Sequence, residues 1–153
     1  MTSIFFIELS ISNKIRYVCD IVEKFYDQNR TVHIFTKDKQ SARLVDQMLW
    51  SWKPNSFIPH KQVTEEDADT DEPVLISSDG EWPQPAQALV LFDPLPADVF
   101  FNYEYVVDFA ETYDPQKVVD SRKRFRIVRD TEGLNLEYIQ LGAFLNKTFS
   151  DST

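Results

Sequence analysis

A three-layer α/β domain with a mainly parallel central sheet is what this sequence predicts, and two observations carry it. Short apolar runs alternate with segments of helical apolar spacing, in the order strand, helix, strand, helix from the N-terminus. The chain has 153 residues, 42% of them hydrophobic and 14% aromatic, which suits one domain with a sizeable core. A third observation narrows the class. Glycine occurs only at positions 80, 133 and 142, so neither GxGxxG nor GxxxxGK[ST] can be written. A phosphate-cradling loop needs close backbone approach and several glycines, so this domain is expected to lack one.

Ser3–Glu8 is a short apolar run and reads as a buried strand. Asn13–Gln28 follows with Ile15, Val18, Cys19, Val22, Phe25 and Tyr26 on one helical face, and Ser12 or Asn13 as N-cap. Asn29-Arg30 breaks the pattern, and Thr31–Thr36 is a second strand. Lys39–Trp50 is a second helix with Ala42, Val45, Met48 and Leu49 on one side. Lys53–Ser56 is a turn and Phe57–His60 is extended. Val74–Ser77 and Ala88–Phe92 read as strands, with five prolines between Pro73 and Pro96 keeping the connections non-helical. Tyr105–Phe109 is the next strand. Asp114 at N-cap and Pro115 at N1 open a helix that runs to Arg126 or Arg129. Leu134–Ile139 is a last short strand. The alternation implies parallel strands joined by crossovers, hence a Rossmann-like domain over residues 1–145. Within it, 63–72 is an acidic exposed loop, and 146–153 is a polar, frayed tail.

The net charge is −9, which disfavours general binding to nucleic acid. Six of the eight residues from Glu65 to Glu72 are acidic. The single cysteine, Cys19, excludes an intramolecular disulfide and a multi-cysteine zinc site. It lies on the apolar face of the first helix, where a buried, inert thiol is expected. The N-terminus has no basic stretch before an apolar run, and no segment is long enough to span a bilayer, so a cytoplasmic location is expected. His33 falls inside a strand and reads as a satisfied core or sheet-edge histidine. Neither His33 nor His60 has metal-ligand spacing. Ser77-Ser78-Asp79 is a turn rather than a nucleophile elbow. No catalytic residue, metal or cofactor is assigned.

The basic residues are more informative. Arg122, Lys123, Arg124, Arg126 and Arg129 place five of the sixteen Lys and Arg within eight positions. At about 100° per residue, Val118, Arg122, Phe125, Arg126 and Arg129 share one helix face, with Lys117 one turn back. That face reads in two ways. Cations in a last helical turn match the helix dipole and need no ligand. Arginines around an aromatic also suit a peptide terminus, with guanidinium clamping the carboxylate and the apolar floor taking the side chain. A second constellation is aromatic: Leu49-Trp50-Ser51-Trp52 precedes Phe57-Ile58-Pro59-His60. Core and interface are equally good readings of these tryptophans. Trp82, before Pro83, is read as core.

At these residues the sequence resembles the chi subunit family of bacterial DNA polymerase III. The matching pieces are Leu49-Trp50, Ser56-Phe57-Ile58-Pro59-His60, Trp82-Pro83 and Val106-Val107-Asp108-Phe109. The last is Arg122-Lys-Arg-Phe-Arg-Ile-Val-Arg129, similar to the family's Arg-x-Arg-aromatic-basic-x-x-Arg signature. Val128 stands where the family often has an aromatic in the pocket wall. The resemblance implies a Rossmann-like fold with no nucleotide site and a non-enzymatic accessory subunit. It implies two partners: psi, which links chi to the clamp loader, and the acidic C-terminal tail of single-stranded DNA-binding protein, which ends in phenylalanine. Carried across, Arg122, Phe125, Arg126 and Arg129 form the tail site, flanked by Val118 or Lys117. Trp50 and Phe57, with Pro59 nearby, face psi. The expected state is a monomer alone or a heterodimer. Two other readings compete: a small nucleotide-dependent α/β enzyme, which rests on fold analogy alone, and direct single-strand binding through Phe125 and the arginines.

Overall fold

A computed structural model describes residues 1–63, 71–78 and 86–149. Seven strands form one sheet in the order β3-β4-β2-β5-β6-β1-β7. They are β1 (Thr2–Leu9), β2 (Val32–Phe35), β3 (His60–Gln62), β4 (Val74–Ser77), β5 (Ala88–Leu91), β6 (Tyr105–Glu111) and β7 (Leu134–Ile139). Every neighbouring pair is parallel. Helices α1 (Lys14–Asp27), α2 (Lys39–Ser51), α3 (Pro115–Arg129) and α4 (Leu141–Leu145) cover it, with a 3-10 helix at Ala97–Asn102. The predicted Rossmann-like α/β class is therefore the observed one.

The layers follow from the strand period of two. In β1, Phe5, Ile7 and Leu9 enter the core shared with α1, α2 and α4. Ile4 and Phe6 enter the opposite core, shared with α3 and the 3-10 helix. A strand between two cores must be apolar on both sides, which is why Ser3-Ile-Phe-Phe-Ile reads as a continuous run rather than an alternation. In α1 the predicted face is right: Val18, Cys19, Val22 and Phe25 are buried, and Ile21 joins them. Asn13 sits at the N-cap without a capping side-chain bond. Asn29 ends the helix in the left-handed region, at φ 60°, a conformation asparagine tolerates better than most residues. Asp38 caps α2 by accepting from Ser41 N at 2.8 Å. Asp114 caps α3 by accepting from Gln116 N at 2.8 Å, and Pro115 follows at N1, as predicted.

The sequence reading differs in four places. His60–Gln62 is a strand that pairs with β4; three residues are too few to show a period. Ala97–Asn102 and Leu141–Leu145 are short helical turns below the length at which periodicity is legible. The expected loop at 63–72 is described only in part. Val63 is buried and donates to Ile76 O at 2.7 Å, whereas Asp71 is exposed; 64–70 lie outside the described residues, as do Trp82 and Pro83. The frayed tail is a correction for 146–149. Phe149 stacks on Phe25 with ring centroids 5.1 Å apart and lies 4.6 Å from Tyr105. Gln28 and Arg30 bind the Phe149 backbone, and Lys24 donates to Leu145 O at 3.0 Å. One aromatic in an otherwise polar segment is enough to dock it.

Inside the second core, His33 is fully buried on β2. Its Nδ1 lies 2.7 Å from the Tyr103 hydroxyl, and its Nε2 meets Ser77 Oγ. A neutral imidazole accepts at one nitrogen and donates at the other, which suits two hydroxyl partners. Burial pushes its pKa down to about 4 from 6.5. The unfolded chain therefore binds a proton near pH 6.5 that the folded chain refuses until about pH 4. Stability contributed by neutral His33 is complete above pH 6.5 and is lost as pH falls towards 4, by roughly 3 kcal/mol. Denaturation of wild type and His33→Gln across this window should show that slope in wild type and its loss in the variant.

Candidate functional site

α3 buries little of itself. Only Ser121 and Val128 are buried, while Arg124 and Phe125 are half-buried. Two polar contacts fix the helix on β6. Ser121 Oγ accepts from Glu111 N at 3.0 Å. Arg124 donates from Nε to Asp108 Oδ2 at 2.9 Å, and from Nη2 to Asp108 Oδ1 at 3.4 Å and Phe109 O at 3.1 Å. Asp108 is 3% exposed, and this fork is what pairs its buried side chain. Its Oδ1 also accepts from Phe109 N at 2.7 Å. With 121, 124 and 128 turned inward, the helix can present only one other face.

That face carries the predicted residues. Val118, Arg122, Phe125, Arg126 and Arg129 all line a cleft of about 370 Å³. It lies between α3 and the carboxyl ends of β6 and β7, the end of a parallel sheet where open α/β folds hold their ligands. The Phe125 ring forms the floor, edge-on to Phe6 at 5.4 Å and to Tyr138 at 6.3 Å. Arg122 and Arg126 are exposed and make no ion pair among the described residues. Arg129 is exposed and held by Asp130: Nε reaches Oδ1 at 3.0 Å and Nη2 reaches Oδ2 at 3.4 Å. The Arg129 hydrogen bond holds the Asp130 carboxyl below its ordinary range.

Lys117, expected with Val118 at the flank of the site, stands beside the cleft rather than in its lining. Its Nζ lies 3.5 Å from Glu111 Oε2. Glu111 does line the cleft and is almost fully buried. Burial pushes its carboxyl up, but Lys14, the Tyr113 hydroxyl at 3.0 Å and Lys117 outweigh that and hold it below the usual value. Sequence reasoning missed Glu111 because the strand was ended at Phe109. It missed Tyr138 because nothing local says which face of β7 meets α3. The alternation Leu134, Leu136, Tyr138 would have found it, since Leu134 and Leu136 pack on the α3 side. Val128 is buried in the core beside the 3-10 helix and is no wall of this cleft.

The aromatic constellation separates. Trp52 is buried, with Arg16 and Lys53 over its ring. Trp50 is 54% exposed and Phe57 70%, their centroids 5.9 Å apart. Pro59 is half-buried between Phe57 and His60, and the His60 ring lies 4.4 Å from that of Trp50. His60 Nδ1 meets Ile58 O at 2.7 Å, and Nε2 lies 3.3 Å from Asp46 Oδ1. This patch sits on the α2 side of the sheet, across from the cleft. Cys19 is buried, and burial pushes its thiol up to about 12. No helix among the described residues is long and apolar enough to cross a membrane.

Fold and site define a class: a parallel, Rossmann-like α/β protein whose cleft at the strand carboxyl ends is built from arginines and an aromatic floor, with no glycine-rich phosphate loop. Comparison with known proteins gives the particular family. The model of the DNA polymerase III chi subunit, HolC, matches residues 1–137, and the chain belongs to that family. It is similar to the DNA polymerase III subunit chi of Pseudomonas aeruginosa, 29% identical over 120 residues that cover 78% of this chain and 81% of that protein.

The Asp108–Arg124 pair is the contact that sets the cleft's face, and its loss is measurable. Arg124→Met leaves a buried carboxylate unpaired and should lower unfolding stability by about 3 kcal/mol. Asp108→Asn with Arg124→Met should recover part of that, as read by chemical denaturation.

Proposed function

We propose that this chain is a non-catalytic accessory subunit of the polymerase III holoenzyme. It captures the acidic, phenylalanine-ended C-terminal tail of single-stranded DNA-binding protein in the α3 cleft. Through the exposed Trp50–Phe57 patch, with Pro59 beside it, it pairs with psi and so joins the tail to the clamp loader. One observation carries the tail reading: Arg122 and Arg126 stand one turn apart, without ion-pair partners among the described residues, over the Phe125 and Val118 floor. A carboxylate beside an aromatic side chain needs cations and an apolar surface together. With −9 net charge, a compact cationic cleft suits one acidic peptide end better than a run of phosphates.

The psi reading draws on the separation of the two surfaces by the sheet, which lets both partners bind at once. Large, adjacent, exposed aromatics are interface residues more often than idle surface.

Fluorescence anisotropy tests the tail site with an acidic peptide ending in free-carboxylate phenylalanine and with its C-terminal amide. The acid form should bind saturably and the amide much more weakly. Arg122→Ala and Arg126→Ala should each weaken the acid form about tenfold, the loss expected of a charged hydrogen-bonded contact. Trp50→Ala with Phe57→Ala, across the sheet, should leave peptide binding unchanged and abolish co-purification with psi. Equal binding of acid and amide would sink the carboxylate clamp.

A further inference from the structure

The cleft holds three arginines, but they are not equivalent before any ligand arrives. Arg122 and Arg126 point no donor at a carboxylate among the described residues. The Arg129 guanidinium meets Asp130 through two nitrogens, at 3.0 and 3.4 Å. That two-point geometry is the one by which arginine recognises a carboxylate in a ligand. The same fork cannot serve Asp130 and a second carboxylate at full strength together.

We propose that Asp130, which does not itself line the cleft, is a resident anion of the cleft's Arg129: it occupies the Arg129 fork in the free protein, and an acidic peptide binds by exchanging its own carboxylate for that of Asp130. The inference rests on the tail-capture reading above and names a residue that sets its affinity.

Position favours the exchange. Asp130 is the C-cap of α3, its backbone N–H bonded to Arg126 O and Val128 O, so its side chain is held at the helix end next to Arg129. Both partners are well exposed, 57% for the Arg129 side chain and 67% for that of Asp130. A pair in water is weakly held, so it opens readily, and the released carboxylate is hydrated at once. Lys117 at the other end of the helix face is different. Its partner Glu111 is almost fully buried and also held by Lys14 and Tyr113. That carboxylate is held from three sides and stays in place. Of Lys117 and Arg129, only Arg129 is exchangeable. The clamp therefore consists of two standing arginines and one that is released on binding. An anion too weak to displace Asp130 finds the Nε/Nη2 edge of Arg129 occupied, which makes full engagement of the third arginine selective for a strong carboxylate.

The test is anisotropy of the full chain with the acidic, phenylalanine-ended peptide. Asp130→Asn keeps the side-chain shape and a residue suited to helix ends, but loses the charge that competes. It should bind the peptide about two- to fivefold tighter than wild type, the range of an exposed ion pair. Glu132→Gln makes the same change of net charge two residues on, away from Arg129, and should gain distinctly less. In an Arg129→Ala background, Asp130→Asn should gain distinctly less, through the weaker field of Asp130 at Arg126 alone. Tighter binding confined to Asp130→Asn and dependent on Arg129 supports the exchange. Unchanged or weaker binding by Asp130→Asn, or an equal gain from Glu132→Gln, overturns it while leaving the tail site standing. Failure of wild type to bind the peptide at all overturns the tail reading and this one with it.

Discussion

A buried carboxylate in the middle of a sheet cannot stand alone, and Asp108 is such a group. It lies on β6, with β5 and β1 on either side, at 3% exposure. Leaving it unpaired would cost several kcal/mol. Arg124 answers it from α3, and the three bonds of that fork fix the roll of the helix as well as its distance. The helix has little apolar surface with which to choose an orientation of its own. Once Arg124 faces inward, the 3.6-residue repeat carries Arg122, Phe125, Arg126 and Arg129 to the cleft side. The cleft face is thus a geometric consequence of one ion pair beneath it.

The parallel sheet supplies the second constraint. Strands buried on both sides need helices on both faces, so the molecule has two separate outer surfaces. α1, α2 and α4 make one, α3 and the 3-10 helix the other. The docked Phe149 closes the first core at its lower edge, where α1 ends, and gives the last described residues a structural task. The shortage of glycine fits the same picture: backbone is kept under side chains, and recognition is left to arginines and aromatics.

Much of this was legible from local pattern. Each strand and helix of seven residues or more is legible, because periodicity over two turns is visible in a short window, whereas the 3-10 helix and α4 are too short to show one. The cleft's main residues, Val118, Arg122, Phe125, Arg126 and Arg129, follow from helical spacing alone. The buried His33 and the inert Cys19 follow from their places in apolar runs. Lys117 shows the limit of that reasoning. Its spacing suits the cleft, but Glu111, six residues back on another element, takes it away. The tail shows the opposite limit, since a polar composition concealed one aromatic with a place to stack.

By itself, the sequence determined the α/β class, the missing phosphate loop and the cationic face of α3. All three are properties of residue type and short-range spacing. Only the tertiary structure decided which charges are spoken for and which tryptophan faces outward. Arg124 is bound inside, Arg129 is held by Asp130, Lys117 is held by Glu111, and Arg122 and Arg126 stand open. Trp50 is exposed and Trp52 buried, two positions apart. Apart from Arg129 and Asp130, which are neighbours in the chain, these outcomes depend on how separate elements pack together, and no local period carries that information.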